Sequence, residues 1–307
     1  MEAIDYAVPN TVKEAIEILS SKGDKARILA GGTDLLVQLR GGRFSLDTVI
    51  DVKNIDALNT YTFDSSKGLE IGAAVELYRI YQDPELSEMF PGLMDAATLI
   101  GGIQIQGRAT FGGNLCNSAP SGDGIPALIA HNAVCNISGP KGDRQMSVEE
   151  FCVAPGRNAM DNGEMLVSIS VPIPPKGFGS NYQRFIPRNE MDIAVVGVGT
   201  SVILDDSGTK FESARISLAS VGPTPIFVSD AGEFLAGKEV NDDNIAQAAQ
   251  MAKNAASPIS DMRGTIEQRK HLVEVFTRRT LVESISRAKG LEIQALWKFT
   301  SNTEGEN

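Results

Sequence analysis

The chain has 307 residues, 42% of them hydrophobic, with 28 basic against 39 acidic side chains and a formal charge of −11. That length suits two domains better than one small core, and a mean hydropathy of −0.07 excludes disorder and collagen-like structure. No Lys/Arg cluster is denser than Arg278-Arg279, so phosphate neutralisation on nucleic acid, or on an anionic membrane, is not expected.

Along the chain, Thr11 is placed to cap a helix over Val12–Ser21, with Glu14 completing the capping box. Ala26–Ala30 reads as a short strand running into Gly31-Gly32, Leu35–Leu39 as a helical turn, and Thr48–Val52 as a strand. Leu69–Ala74 repeats the pattern of a strand followed by small residues, with helical stretches at Val75–Gln82 and Gly92–Leu99. The segment Gly101–Asp123 is glycine-rich, poor in helix formers, and reads as a loop. A short helix over Ile125–Ala130 and strands at Ala133–Ser138 and Met165–Val171 follow. PIPPKGFGSN (Pro172–Asn181) is the strongest linker candidate. Beyond it lie three strands (Asn181–Ile186, Ile193–Leu204, Ser213–Val221) and three helices (Ser229–Leu235, Asn241–Ala256, Ile266–Lys289). Gly197-Val-Gly199 sits inside an apolar run and reads as core, and the polar end Thr300–Asn307 is expected to fray.

No apolar run approaches the ~20 residues of a membrane-spanning helix. The N-terminal MEAIDYAVPNTVKEA has no signal-peptide pattern. Cys116, Cys135 and Cys152 are odd in number and contain no CxxC pair, which fits a reducing cytoplasm. With His131 they match no familiar ligand spacing, so no metal site is expected.

Two segments suggest ligand chemistry. In AGGTDLL (Ala30–Leu36), a strand ends in two glycines and opens a helix, bringing main-chain N–H groups toward an anion. Thr33 adds a hydroxyl, and Asp34 is a candidate helix cap. The segment matches neither GxGxxG nor GxxxxGK[ST], so a Rossmann or Walker site is not supported. In QGRATFGGNLCNSAPSGDGIPAL (Gln106–Leu128), Thr110, Gly112, Gly113 and Asn114 cluster before a reversal through Pro120–Gly124. Ordering so flexible a stretch costs entropy, which a large ligand would offset. Two such nests suit a diphosphate better than one phosphate. Each segment also reads as an ordinary turn or surface loop. There is no GxSxG elbow, HExxH or EF-hand loop, and no acid–base pair can be nominated.

AGGTDLL, the Gln104–Asp123 stretch with its ATFGGN core, and GEMLVSISVPIP (Gly163–Pro174) resemble the FAD-binding subunit of molybdenum hydroxylases. That family includes carbon monoxide dehydrogenase medium subunits, nicotinate dehydrogenase flavoproteins and the flavin domain of xanthine dehydrogenase. RNEMDIAVVGVG (Arg188–Gly199) and ISLASVGPTP (Ile216–Pro225) are similar to its C-terminal domain, so the resemblance spans nearly the whole chain. It implies an α+β fold: a two-part FAD-binding domain of the vanillyl-alcohol-oxidase type over 1–176, divided at about 55. A C-terminal domain of a three-stranded antiparallel sheet and a helix bundle follows over 177–290, then a tail over 291–307.

The resemblance further implies that Leu29, Ala30, Gly31, Gly32, Thr33, Asp34, Leu35 and Leu36 hold the FAD diphosphate. Thr110, Phe111, Gly112, Gly113, Asn114 and Asn117 would lie along the diphosphate and ribityl side. Asp123 would contact the cofactor, with Ile100, Gly101, Leu166 and Arg184 near the flavin. A positive charge near the flavin would come from Arg184 or Arg188. Ile193 stands where some members place a tyrosine, and Ile100 where the animal enzyme has an aromatic, so apolar packing should replace ring stacking. The four-cysteine insert of 4-hydroxybenzoyl-CoA reductase is missing.

The function so implied is electron relay from 2Fe–2S clusters through FAD to NAD, a quinone or another acceptor. The partners implied are a large molybdopterin-binding subunit and a small 2Fe–2S subunit in a cytoplasmic dimer of heterotrimers, with no catalytic acid or base in this chain. A stand-alone FAD oxidase or reductase and a flavin-free scaffold are the alternatives.

Overall fold

The computed structural model describes residues 4–188 and 191–291. The tail expected over 291–307 lies outside the described residues apart from Leu291. The first helix, Val12–Lys22, begins where Thr11 Oγ1 accepts from the Glu14 N–H at 3.2 Å. The Glu14 carboxylate reaches back one residue further than a capping box requires, to the Asn10 N–H at 2.7 Å. The buried Ala15 brings this helix onto a three-stranded parallel sheet, in which Thr48–Asp51 runs between Asp5–Ala7 and Ala26–Leu29.

A second, five-stranded antiparallel sheet follows. Its order is Tyr61–Asp64, Gly68–Gly72, Met165–Val171, Val134–Gly139, Gly142–Ser147. The late strand Met165–Val171 sits at its centre, so this sheet closes only after the whole intervening segment has been laid over it. That segment supplies short helices, among them Pro91–Ala97 and Gly124–Ala130, whose Leu93, Met94, Leu128 and Ile129 are buried with Ile71, Ile137 and Ile169 in one core. Each such side chain contributes about 1.5–3 kcal/mol on leaving water.

The third layer is a four-stranded antiparallel sheet: Phe178–Phe185, Val196–Leu204, Phe211–Ala219 and Ile226–Phe227. The last is a two-residue strand added to the three expected. The anticipated linker is also shorter than Pro172–Asn181, because the first strand begins at Phe178. Gly179 is there for close approach: a Cβ on it would lie 2.0 Å from the Ser284 carbonyl oxygen of the long helix Ile266–Ala288. On the sheet's other face a Cβ on Gly199 would lie 2.6 Å from the Pro126 carbonyl oxygen, so the helix Gly124–Ala130 rests directly on the strand. The sheet is thus clasped between the first part of the chain and the helices Ser229–Leu235, Asp242–Ala255 and Ile266–Ala288.

A buried polar cluster locks this junction. Arg287, from the last helix, donates to both oxygens of Asp95 at 2.6 and 3.0 Å and to the Ser180 carbonyl at 2.6 Å. Ser180 Oγ accepts from the Gly92 N–H and meets His131 Nε2 at 2.9 Å, while His131 Nδ1 lies 2.8 Å from the Ala127 carbonyl. The Ala127 carbonyl requires the proton on Nδ1, and in the neutral ring Nε2 then accepts from the Ser180 hydroxyl. Burial pushes the His131 imidazole down to about 4, with Arg287 adding to the effect.

Arg287→Met removes the charge that Arg287 sets against the buried Asp95 and is expected to cost about 3 kcal/mol in chemical denaturation. His131 stays neutral in the native state while the unfolded imidazole titrates near 6.5. Its contribution is therefore complete above pH 6.5 and lost as pH falls toward 4, a loss of roughly 3 kcal/mol at ~1.4 kcal/mol per pH unit. Stability measured against pH should lose that slope in His131→Gln.

Candidate functional site

Between the parallel sheet and the five-stranded sheet opens a cleft of about 600 Å³, within the range of small-molecule and cofactor sites. One wall is the turn after the strand Ala26–Leu29. Gly31 lies flat on the backbone of the opposite wall, where a Cβ would stand 2.0 Å from the Arg108 carbonyl oxygen. Gly32 takes a φ of +78°, which only glycine adopts without strain. Arg108 clasps this turn from outside, its Nη2 donating to the Ala30 carbonyl at 3.0 Å and its Nε to the Gly31 carbonyl at 3.3 Å. The C=O and N–H of a trans peptide point in opposite directions. Tying those two carbonyls to Arg108 therefore sends the Gly31 and Gly32 N–H groups the other way. Among the described residues, the N–H groups of Gly31, Gly32 and Thr33 have no protein acceptor. Asp34 does not cap the helix Leu35–Arg40: its backbone is already helical (φ −97°, ψ −46°), whereas a capping side chain needs an extended backbone at that position.

The opposite wall corrects the expectation of a glycine loop over Gly101–Asp123. Thr110 is extended (φ −134°, ψ 152°), its Oγ1 accepts from the Gly113 N–H at 2.8 Å, and a helix runs over Phe111–Asn117. Two glycines in a helix cost about 1 kcal/mol each. The threonine cap and the burial of Phe111 and Leu115 offset this. Gly112 is needed for packing, since a Cβ there would stand 2.3 Å from the Ala73 carbonyl oxygen. At Gly113 a Cβ would meet only Thr110 Oγ1, at 3.0 Å, so this residue presents an open face. Asn114 Oδ1 holds the next reversal by accepting from the Gly124 N–H at 3.0 Å. Asn117 Oδ1 accepts from Gln38 Nε2 at 3.0 Å, tying the two walls together.

Of the residues singled out from sequence, Ala30, Gly31, Gly32, Thr33, Asp34, Leu35, Ile100, Thr110, Gly112, Gly113, Asn114, Asn117 and Leu166 come together on the cleft lining. Leu29 and Phe111 point into apolar cores, Leu36 is exposed, and Gly101 turns the chain over Ile105. Asp123 and Arg184 are not on the lining; they form a buried ion pair, 2.6 Å apart, behind it. The Tyr182 hydroxyl donates to the same carboxylate at 2.6 Å. Arg188 is on the surface, 72% exposed along its side chain and paired with Asp192.

Sequence reasoning missed other lining groups. Arg27 and Arg43 both reach the cleft and stack on Phe44, 5.1 and 5.6 Å from its ring centre. No motif announces them, because Arg27 comes from the strand Ala26–Leu29 and Arg43 from the loop beyond the helix Leu35–Arg40. The Arg108 clasp was legible only as one more basic residue in a glycine-rich run. Cys116 also lines the cleft, but burial pushes its thiol up to about 12, so it is protonated and unreactive at neutral pH.

Known proteins match the chain along most of its length. Residues 2–174 match the FAD binding domain in molybdopterin dehydrogenase, and residues 181–284 match the CO dehydrogenase flavoprotein C-terminal domain. The chain belongs to this family of FAD-binding subunits. It is 30% identical to a putative xanthine dehydrogenase FAD-binding subunit of Escherichia coli, over 91% of this chain and 95% of that one. It is 29% identical to the carbon monoxide dehydrogenase medium chain of Afipia carboxidovorans, over 94% and 98% respectively. Among solved structures, reconstituted CO dehydrogenase from Oligotropha carboxidovorans superposes with a TM-score of 0.88 at 27% identity, covering 93% of this chain and 99% of that chain. The protein is accordingly an FAD-binding oxidoreductase subunit of the molybdenum hydroxylase type. Among the described residues, no helix is long and apolar enough to cross a membrane.

Gly112→Ala is expected to destabilise the fold by about 3 kcal/mol, as overpacking against backbone does. Thermal unfolding of the variant beside wild type measures it.

Proposed function

We propose that the cleft holds FAD, with its diphosphate between the Gly31–Thr33 turn and the open face at Gly113, and that the chain is the electron-relay subunit of a larger complex. The observation that carries this reading is the row of N–H groups at Gly31, Gly32 and Thr33, on the lining and without protein acceptors. Such donors want an anion. Arg27 and Arg43 add positive charge to the same cleft in a protein whose net charge is −11. Ile100 and Leu166 offer apolar surface for the isoalloxazine and keep water from it. Arg108 keeps the turn in its binding shape before the ligand arrives, which lowers the ordering cost of binding.

FAD bound here supplies the redox chemistry, linking 2Fe–2S clusters on a small subunit to NAD, a quinone or another acceptor. The chain's part is to bind and orient, and no side chain on the lining is required to move a proton. We assign residues 1–176 to the FAD domain, in two parts meeting near residue 55, and residues 177–290 to the C-terminal domain. The assembly in this reading is a cytoplasmic dimer of heterotrimers, completed by a large molybdopterin-binding subunit and the 2Fe–2S subunit. The Arg287–Asp95 ion pair ties the helix Ile266–Ala288 to the helix Pro91–Ala97, which supports a C-terminal domain held against the FAD domain.

The test is Gly113→Val in the full chain expressed with its partner subunits. Its side chain stands in the proposed diphosphate path, so visible flavin absorbance per chain should fall at least tenfold while circular dichroism keeps the native spectrum. Unchanged flavin content in a folded variant overturns the placement. A colourless wild-type complex overturns the cofactor.

A further inference from the structure

Asp123 occupies an unusual place for a carboxylate. It is 6% exposed and lies directly behind the cleft wall. A Cβ on the adjoining Gly124 would stand 3.0 Å from Asn114 Oδ1 and 3.3 Å from Ile100 Cδ1, both on the lining. Two side chains of one strand reach it. Arg184 Nη1 meets Oδ2 at 2.6 Å, and the Tyr182 hydroxyl donates to Oδ1 at 2.6 Å. Residues 182 and 184 alternate onto the same face of Phe178–Phe185. The guanidinium is 4% exposed, and its Nε has no partner among the described residues. The strand itself is pinned at this point: the Tyr182 N–H and the Asn181 amide both donate to Asp95, which Arg287 clasps from the last helix.

We propose that Tyr182 is a positioning residue for the flavin end of the cleft: its hydroxyl holds the Asp123 carboxylate turned toward Arg184, and so fixes the guanidinium behind the cleft wall. The role rests on the FAD reading above. The physical case is a balance of opposing terms. Burial favours a neutral carboxyl at 123, while the guanidinium and the phenol favour the charged one. Burial prevails in part, leaving Asp123 at about 6, within reach of neutral pH. After the Arg184 charge, the phenol's hydrogen bond is the next contribution that holds the carboxylate in its charged form. The phenol can play this part because its own ionisation is pushed far above the ordinary range by burial and by Asp123, so it remains a donor.

The helices beside Asp123, Phe111–Asn117 and Gly124–Ala130, carry no charged side chain; their one titratable group is Cys116, a protonated thiol. Asp95, on the helix Pro91–Ala97, is already clasped by Arg287. Neither domain match nor the resemblance in sequence assigns a part to Tyr182.

The experiment uses Tyr182→Phe in the full chain, which keeps the buried ring and removes only the hydroxyl, with Asp123→Asn to identify the Asp123 signal. The protonated-carboxyl infrared band that disappears in Asp123→Asn should titrate near pH 6 in wild type and about one pH unit higher in Tyr182→Phe. The bend in flavin midpoint potential plotted against pH should move with it, while the melting temperature changes little. An Asp123 titration that stays in place in a flavin-loaded Tyr182→Phe protein overturns the role of Tyr182. So does a titration that moves without moving the potential, which is the mark of a purely structural contact. A wild-type chain that holds no flavin overturns the cofactor reading itself, and the positioning role with it.

Discussion

A cleft that binds through main-chain amides must present them with their carbonyl ends secured elsewhere, and in this protein that constraint falls on the contact between Gly31 and Arg108. The backbone of one wall lies on the backbone of the other at a distance that excludes any side chain at residue 31. The Arg108 guanidinium then holds the carbonyls of Ala30 and Gly31. Two segments separated by more than seventy residues become one surface, and the N–H groups of the turn are left without an acceptor among the described residues. A larger residue at 31 would part the walls. A missing guanidinium would leave the peptide planes free to turn.

The remainder of the fold serves to bring those walls together. The central strand of the second sheet, Met165–Val171, arrives late in the chain and closes the sheet over helices laid down earlier. Thr110 starts one of those helices and, through Asn117 and Gln38, ties it to the first wall. The C-terminal sheet then presses on the helix Gly124–Ala130 without a side chain intervening at Gly199. Through Asp95 and Arg287 the last helix fixes the strand that carries Tyr182 and Arg184. The polar network at the junction is therefore continuous, by covalent and hydrogen-bonded links, with the ion pair behind the cleft. Asp95, Arg287, Ser180 and His131 each hold hydrogen bonds within it, which is how buried polar groups rigidify a structure.

Much of this was legible because it is local. Thr11 and Thr110 carry the information for their caps within three residues, although the second was submerged in a run of glycines that argued for a loop. Gly31, Gly32, Gly112 and Gly113 mark the cleft in sequence, but sequence treats them alike. The structure separates them into a packing glycine against Arg108, a left-handed turn, a packing glycine against Ala73, and an open face. Asp34 shows the limit of a cap read from residue type, since its backbone conformation was set by the turn before it.

The sequence by itself determined the two glycine-bearing segments, the late strand MLVSISV, the order of strands and helices in the C-terminal half, and hence the family and its cofactor. Those are properties of short stretches, encoded in propensity, capping and turn chemistry. Only the tertiary structure decided that Arg27 and Arg43 share the cleft, that Arg108 clasps its edge, and that Asp123 and Arg184 pair behind the lining instead of upon it. These are meetings of residues tens to hundreds of positions apart. Nothing local fixes such a meeting, because it depends on how closely two backbones pack and on which charges are buried together when they do.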